Sequence, residues 1–188
     1  MAKIKFKAYH GTDESVAQAI VENGFISRPN REHWLGEGIY FFLDKNLAEW
    51  WTTNPTKKSG MRIQTPVVIE CTFEIETDKI FDLRNLTDYN NYVTNYNNFF
   101  CVWLKNAKGI RMNTKKLRCG FFNFMWGAYE IDAIIAPFIL PDQPYMPQYM
   151  NQELANEMHI IYPEIQMCID PNSQNLITKK EYYYVKAG

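Results

Sequence analysis

Charged and apolar side chains alternate over residues 3–9, and this period of two is typical of a half-buried β-strand. Thr12 or Asp13 can cap a helix directly after it, and Gly24 can end that helix. Four apolar residues in between recur at helical spacing and predict its buried face: Val16, Ala17, Ile20 and Val21. The chain is therefore predicted to begin with a strand and an amphipathic helix.

Runs rich in β-branched and aromatic residues predict further strands. These runs cover residues 39–43, 66–75, 129–138 and 164–169, with an edge or turn segment at 80–83 and a last strand that begins at Ile177 or Tyr182. Asp44 can cap a short helix over residues 45–52. Two stretches are less regular: a mixed region at 84–129, and a connection at 139–159 with a short helix at 152–158.

Several strands with few, short helices predict a compact α+β domain. The 188 residues match the length of one ordinary domain, so we expect a single unit over residues 1–188. Within this unit, residues 84–129 form a basic, aromatic and Asn-rich insertion.

Composition narrows the class of protein. Hydrophobic residues make up 46% of the chain and aromatic residues 15%, which supports a sizeable core and excludes a disordered chain or a coiled coil. The 20 basic and 21 acidic residues nearly cancel, so the whole chain is not built for a polyelectrolyte partner. There is no signal-peptide pattern and no apolar run of about 18 residues, and we expect a cytoplasmic protein.

The cysteines and histidines give no sign of a metal site. Four cysteines lie far apart without a CxxC pair, which favours neither a zinc site nor a disulfide framework. His33 and His159 have no partner at the spacing of metal ligands. We therefore expect no metal.

Four short motifs in the first quarter of the chain carry the functional signal. They are YHGT at residues 9–12, ENGF at 22–25, GEGIYF at 36–41 and AEWW at 48–51. Taken singly, each is weak, because a lone His10 can be a strand-end histidine and a lone Tyr40 can be a core aromatic. In this order and spacing, the sequence resembles the diphtheria-toxin-like, or PARP-like, ADP-ribosyltransferases, whose signature is a histidine, a tyrosine and a glutamate.

The resemblance implies a fold with two packed sheets, antiparallel or mixed, that form a cleft for the substrate NAD. It implies that His10 bonds the adenosine ribose, that Gly11 lets the backbone approach the carboxamide, and that Tyr40 stacks on the nicotinamide. Trp50, or failing that Trp51, would stack on the other ring face, and Leu47 stands where relatives carry a serine. The implied cofactor-binding set is His10, Gly11, Thr12, Arg28, Tyr40, Trp50 and Trp51.

The third signature residue departs from the family. Relatives carry a glutamate on a late strand, whose charge stabilises an oxocarbenium-like transition state, whereas the aligned residue here is Gln166. Strand alternation puts Glu164, Gln166 and Cys168 on one face, so Glu164 could supply the carboxylate instead. Glu130 is a further candidate. Each of the two glutamates could equally be an exposed residue at the start of a strand.

The region between Tyr89 and Tyr129 contains no Asp or Glu and is rich in aromatic residues and Asn. Basic residues among aromatic ones suit a surface that tracks phosphates and stacks bases, although a solvated basic face over an aromatic core explains the same pattern. Arg28 or Arg31 could bind the NAD pyrophosphate. The candidate nucleic-acid-binding residues are Lys105, Lys108, Arg111, Lys115, Lys116 and Arg118.

Together these features predict a mono-ADP-ribosyltransferase that uses NAD and modifies nucleic acid, with single-stranded RNA favoured. The resemblance further implies a toxin or phage-defence effector, with an antitoxin or inhibitory protein as a partner. A protein-directed transferase is one alternative, and a catalytically weakened module that binds NAD or ADP-ribose is another. We expect a monomer that has no membrane partner.

Overall fold

The strands of the protein form one mixed seven-stranded sheet. The computed structural model describes residues 2–27, 32–53, 63–106, 113–138 and 163–185. The strands are β1 (Lys3–Asp13), β2 (Ile39–Phe42), β3 (Pro66–Glu76), β4 (Ile80–Asp82), β5 (Ala133–Phe138), β6 (Glu164–Ile169) and β7 (Ile177–Tyr184). Their order across the sheet is β4-β5-β6-β2-β1-β3-β7. The β4–β5 pair is parallel, and the other neighbours are antiparallel.

Four α-helices accompany the sheet within the described residues. They are α1 (Glu14–Asn23), α2 (Lys45–Thr53), α3 (Leu86–Asn106) and α4 (Thr114–Ala128). Asp13 caps α1 by accepting a hydrogen bond from the Ser15 amide at 3.2 Å, and Gly24 ends it with φ +86°. None of the helices that the structure describes is both long and apolar enough to cross a membrane.

The α+β class is confirmed, and so are the predicted strands at both ends of the chain. The region 84–129, predicted as irregular with helix-like pieces, is more regular than predicted, because it holds the 21-residue helix α3 and the 15-residue helix α4. Asparagine has a low helix propensity and obscured a regular apolar spacing in α3. That spacing, Tyr92, Tyr96 and Phe99, packs against the aromatic residues of α4. The helix predicted at 152–158 lies outside the described residues.

Two further expectations need correction. In α1, only Ala17 and Ile20 are buried, while Val16 and Val21 are 39% and 37% exposed, because a ten-residue helix on the rim of the sheet covers a narrow stripe. The two packed sheets are also absent from the described residues, since β1 and β2 link both halves into one sheet.

The link between the halves is narrow. β1 pairs with β3 over eleven residues, yet with β2 at one register position, Tyr9 opposite Phe42. Beyond that position, β1 and β2 no longer form a ladder. The half β4-β5-β6-β2 can therefore diverge from the half β1-β3-β7 on the side of His10.

Three hydrophobic clusters fill the space around the sheet. The first covers one sheet face and includes Phe41, Phe73 and Met167. On the other face, a second cluster lies beneath α3 and α4, and a third lies beneath α2 around Phe42 and Leu47. Near the β1–β2 junction, residues of the second and third clusters leave a cavity between them.

Candidate functional site

The cavity at the β1–β2 junction has a volume of about 380 Å³, which is in the range of small-molecule sites. Its walls are mainly aromatic, with a few polar groups. It brings together five of the predicted site residues from three separate parts of the sequence. The lining residues are His10, Gly11, His33, Trp34, Tyr40, Phe41, Phe42, Trp51 and Gln166.

His10 lies where β1 leaves β2. Its Nδ1 is 2.8 Å from the carbonyl oxygen of Tyr40, and because a carbonyl can only accept, Nδ1 carries the proton and Nε2 is an acceptor. The ring edges of Phe25 and Phe41 flank the imidazole at centroid distances of 5.2 and 5.9 Å. Burial lowers the pKa of His10, so the neutral imidazole predominates at pH 7.

Tyr40 is fixed by its hydroxyl. That oxygen donates to the carbonyl of Gly36 at 2.8 Å and accepts from the amide of Leu35 at 2.7 Å. Burial raises the pKa of Tyr40 far above its ordinary value, so the phenol stays neutral. The ring is thus held in one orientation against the cavity, and the loop before β2 is tied to it.

Gly11 is required by the packing of the protein itself. A Cβ at this position would lie 2.7 Å from the carbonyl oxygen of Ala48 and 2.6 Å from Cγ2 of Thr52, so only glycine lets α2 approach β1 this closely. The sequence predicted the glycine for a different reason, namely approach to a ligand. Thr12 is fully buried, and among the described residues it does not line the cavity.

The two tryptophans of α2 are separated by the structure. Trp51 lines the cavity, and Trp50, which points from a different side of the helix, is not among the described lining residues. Leu47, one turn before Trp51, is fully buried in the third cluster. The sequence favoured Trp50 over Trp51 for stacking on the nicotinamide, whereas in the structure it is Trp51 that lines the described cavity.

Gln166 and Glu164 form a pair on β6. The alternation predicted for this strand is confirmed, because Met167 and Ile169 join the first cluster and Cys168 joins the second. The Gln166 amide Nε2 donates to Oε2 of Glu164 at 3.2 Å. Gln166 lines the cavity, and Glu164 does not, within the part of the chain that the structure describes.

Glu164 is 4% exposed, and its Oε1 has no hydrogen-bond partner among the described residues. Burial raises the pKa of Glu164, and the hydrogen bond from Gln166 partly opposes that shift. The carboxyl is therefore buried behind Gln166, and it fixes the orientation of the Gln166 side chain.

Glu130 has a different environment. Its side chain is 89% exposed and pairs with Lys79 at 3.2 Å, just before β5. It is not one of the described residues that line the cavity. The candidate role as a catalytic carboxylate is thus at odds with its position, because an exposed, paired group cannot act in the cavity.

His33 and Trp34 line the cavity and were not predicted. The His33 ring meets that of Tyr40 edge-on at 5.3 Å, and burial lowers the pKa of His33. Trp34 is 43% exposed and lies beneath the guanidinium of Arg118, 4.6 Å from its ring centroid. The sequence signal was two adjacent ring residues just before the GEGIYF motif, in a loop otherwise interpreted as polar.

The predicted basic surface is partly described. Lys105 is exposed at the end of α3, Lys115 and Lys116 are exposed in the first turn of α4, and Arg118 reaches Trp34. Lys108, Arg111 and Arg28 lie outside the described residues. Most aromatic residues of the region lie in the second cluster and cannot stack bases: Tyr92, Tyr96, Phe99, Phe121, Phe122 and Trp126.

Comparison with known proteins identifies a relative but assigns no activity to this chain. No family model matches the chain. The chain is 25% identical to the uncharacterized protein MJ0359 of Methanocaldococcus jannaschii, in a match that covers 97% of this chain and 89% of that protein. Nearly full-length similarity at this identity leaves the function to be argued from the cavity itself.

Proposed function

We propose that this protein is an ADP-ribosyltransferase with the corresponding fold, which binds NAD in the cavity and transfers ADP-ribose to nucleic acid, with single-stranded RNA preferred. One observation carries the proposal. His10, Tyr40 and Gln166 come from distant parts of the chain and line the same cavity of about 380 Å³. The sequence resemblance aligns them with the histidine, tyrosine and glutamate of the ADP-ribosyltransferase signature.

The nicotinamide ring occupies a slot between Tyr40 and Trp51. Aromatic rings stack favourably on a flat heterocycle, with roughly 0.5–1.5 kcal/mol per ring pair beyond area burial. The hydroxyl of Tyr40 is already bonded to Gly36 and Leu35, so its ring needs no reorganisation on binding. A pre-formed slot of this kind favours a flat ligand over a bulky one.

Each of the two riboses of NAD is bound by one acceptor. His10 presents Nε2, because Nδ1 is bonded to the Tyr40 carbonyl. Gln166 presents its carbonyl Oε1, because its NH₂ group is bonded to Glu164. A hydroxyl of the adenosine ribose donates to His10, and the 2′-hydroxyl of the nicotinamide ribose donates to Gln166, which orients the anomeric carbon toward the open side of the cavity.

In the reaction, the bond between the anomeric carbon and the nicotinamide nitrogen breaks, and its electron pair goes to the nicotinamide. The acceptor nucleophile forms a bond with the anomeric carbon and loses a proton to water. Gln166 lowers the barrier by orienting the ribose and by its carbonyl dipole, which is weaker stabilisation than a full negative charge.

A second function is favoured by one specific observation: none of the described lining residues is a carboxylate. A module that binds NAD or ADP-ribose without transfer needs the slot and the acceptors only. Release of nicotinamide separates the two functions, because binding alone leaves the glycosidic bond intact.

The test is incubation with NAD labelled in its adenylate phosphate, together with separate pools of RNA, DNA and protein. The proposal predicts nicotinamide release and label on RNA. Label on protein alone would favour protein-directed transfer, and tight binding without release would favour the binding module. A Glu130→Gln variant is the matched control, since it removes an exposed carboxylate outside the described cavity wall and should behave as wild type.

A further inference from the structure

Trp34 is an unusually exposed tryptophan for a residue that lines a cavity. It is 43% exposed, and the ring of Phe138 supports it edge-on at 4.8 Å. Exposed aromatic rings at the mouth of a cavity offer a π-face to a ligand that extends outward. Neither the nicotinamide slot nor the ribose acceptors use this residue.

Arg118 lies over Trp34, and no acidic residue in the described part of the chain forms an ion pair with it. Its guanidinium lies 4.6 Å from the ring centroid, a cation–π distance. Its Nε is buried with no hydrogen-bond partner among the described residues. By contrast, the guanidinium of Arg84 donates hydrogen bonds to both carboxylate oxygens of Asp82, at 2.6–3.1 Å. Because a buried Nε is closed to solvent, only the terminal nitrogens of this partly exposed side chain can receive an anion.

The charge around Arg118 reinforces this suitability. Lys115 is exposed three residues earlier on α4 and hence on a neighbouring part of the helix surface. No acidic residue occurs between positions 89 and 129. One acidic residue lies across from the start of α4, where Glu32 is 3.5 Å from the side-chain amide of Asn113, and it weakens the positive potential there. The surface beside Trp34 thus combines a guanidinium, an exposed lysine on the same helix and an exposed indole.

We propose that Trp34 and Arg118 form an acceptor subsite that binds one nucleotide of a single strand beside the cavity. Arg118 binds the phosphate as a fork, and the base stacks on the surface formed by the indole and the guanidinium plane. The subsite directs the adjoining nucleotide toward the anomeric carbon. This inference rests on the proposed function and specifies how its acceptor is bound.

The subsite is tested by binding a fluorescein-labelled ten-residue oligouridylate without NAD, followed by fluorescence anisotropy over a range of salt concentrations. We expect Arg118→Gln to weaken binding at least tenfold and to reduce the salt slope by about 0.7, the loss of one phosphate contact on a single strand. Arg118→Lys should keep the slope but recover only part of the affinity, because lysine has no planar fork. Trp34→Phe should bind more tightly than Trp34→Ala.

Lys179→Gln is the charge-matched control, because Lys179 is exposed on the edge strand β7 and pairs with Glu181; it should bind as wild type does. Unchanged oligonucleotide affinity in Arg118→Gln, with a wild-type unfolding temperature, would overturn the subsite. So would a tenfold loss of NAD affinity in calorimetry, since the pair would then bind the NAD diphosphate. Failure of the wild type to cleave NAD would refute the proposed function alone, because the oligonucleotide experiment contains no NAD.

Discussion

Tyr40 has two roles, the hydrogen bonds of its hydroxyl and the stacking of its ring, and two variants distinguish them. Tyr40→Phe keeps the ring but leaves the Leu35 amide and the Gly36 carbonyl without their partner, so we expect a loss of about 1–3 kcal/mol in unfolding free energy. Its NAD cleavage should remain measurable. Tyr40→Ala should abolish cleavage, because the slot loses one wall. Denaturant unfolding and nicotinamide release measure the two effects, and an active Tyr40→Ala variant would contradict the stacking role.

Gln166 should matter more than Glu164 for the chemistry. Gln166→Ala removes the ribose acceptor, and we expect transfer to slow by about 10²–10³, the scale of one transition-state hydrogen bond. Gln166→Glu should be as fast as wild type or faster, because it introduces the negative charge of the glutamate in the ADP-ribosyltransferase signature. Glu164→Gln should stay within about tenfold of wild type, since Glu164 acts through Gln166. The opposite ranking in a single-turnover experiment would assign the chemistry to Glu164.

Glu164 also predicts a pH-dependent effect on stability. Burial raises its pKa in the folded state, so the folded protein holds the proton more tightly than the unfolded chain does. The contribution to stability is present below the ordinary pKa and is lost as the pH rises through the raised value. Glu164→Gln should therefore unfold at a higher temperature than wild type at pH 7.5, and the difference should shrink at pH 4. An equal difference at both pH values would show that the carboxyl is not desolvated.

At the scale of elements, the absence of a side chain at Gly36 lets helix α4 pack closely against the loop before β2. Its φ is +88°, and a Cβ would lie 2.7 Å from Oδ1 of Asn123 and 2.9 Å from Nε1 of Trp126. Gly36→Ala should therefore destabilise the protein by about 1–3 kcal/mol. A Cβ at Gly127 in α4 would meet nothing within 4 Å. Gly127→Ala should therefore be neutral or stabilise the protein by about 0.5–1 kcal/mol. Equal stability of the two variants in denaturant unfolding would contradict this account of the loop.

Elements with strong local signals were predictable. The strand β1 and the end of α1 at Gly24 are local properties, and both appear in the structure as predicted. The predicted alternation holds at Phe6 and Ala8, whereas Ile4 is 41% exposed. Helix α3 was not predicted as one continuous helix, because its stabilisation comes from Tyr92 and Tyr96 packing edge-to-face against Phe121 of α4. That is a tertiary effect, which overrides the poor propensity of the asparagines.

At the scale of the whole molecule, the junction of β1 and β2 determines the site. His10 and Tyr40 were predictable because they flank this junction within the motifs of the first quarter. Trp34 and Arg118 are 84 positions apart, and they meet only because α4 packs along the loop before β2. Sequence spacing carries no information on such a contact.

The most direct test of the central claim is calorimetric titration of NAD into the wild type, Trp51→Ala and Trp50→Ala. The two variants remove the same side chain from adjacent positions of α2, and only Trp51 lines the described cavity. The account predicts that Trp51→Ala weakens NAD binding at least tenfold, while Trp50→Ala changes it less than twofold. No NAD binding by the folded wild type, or an equal loss in both variants, would contradict the claim that this cavity holds the nicotinamide.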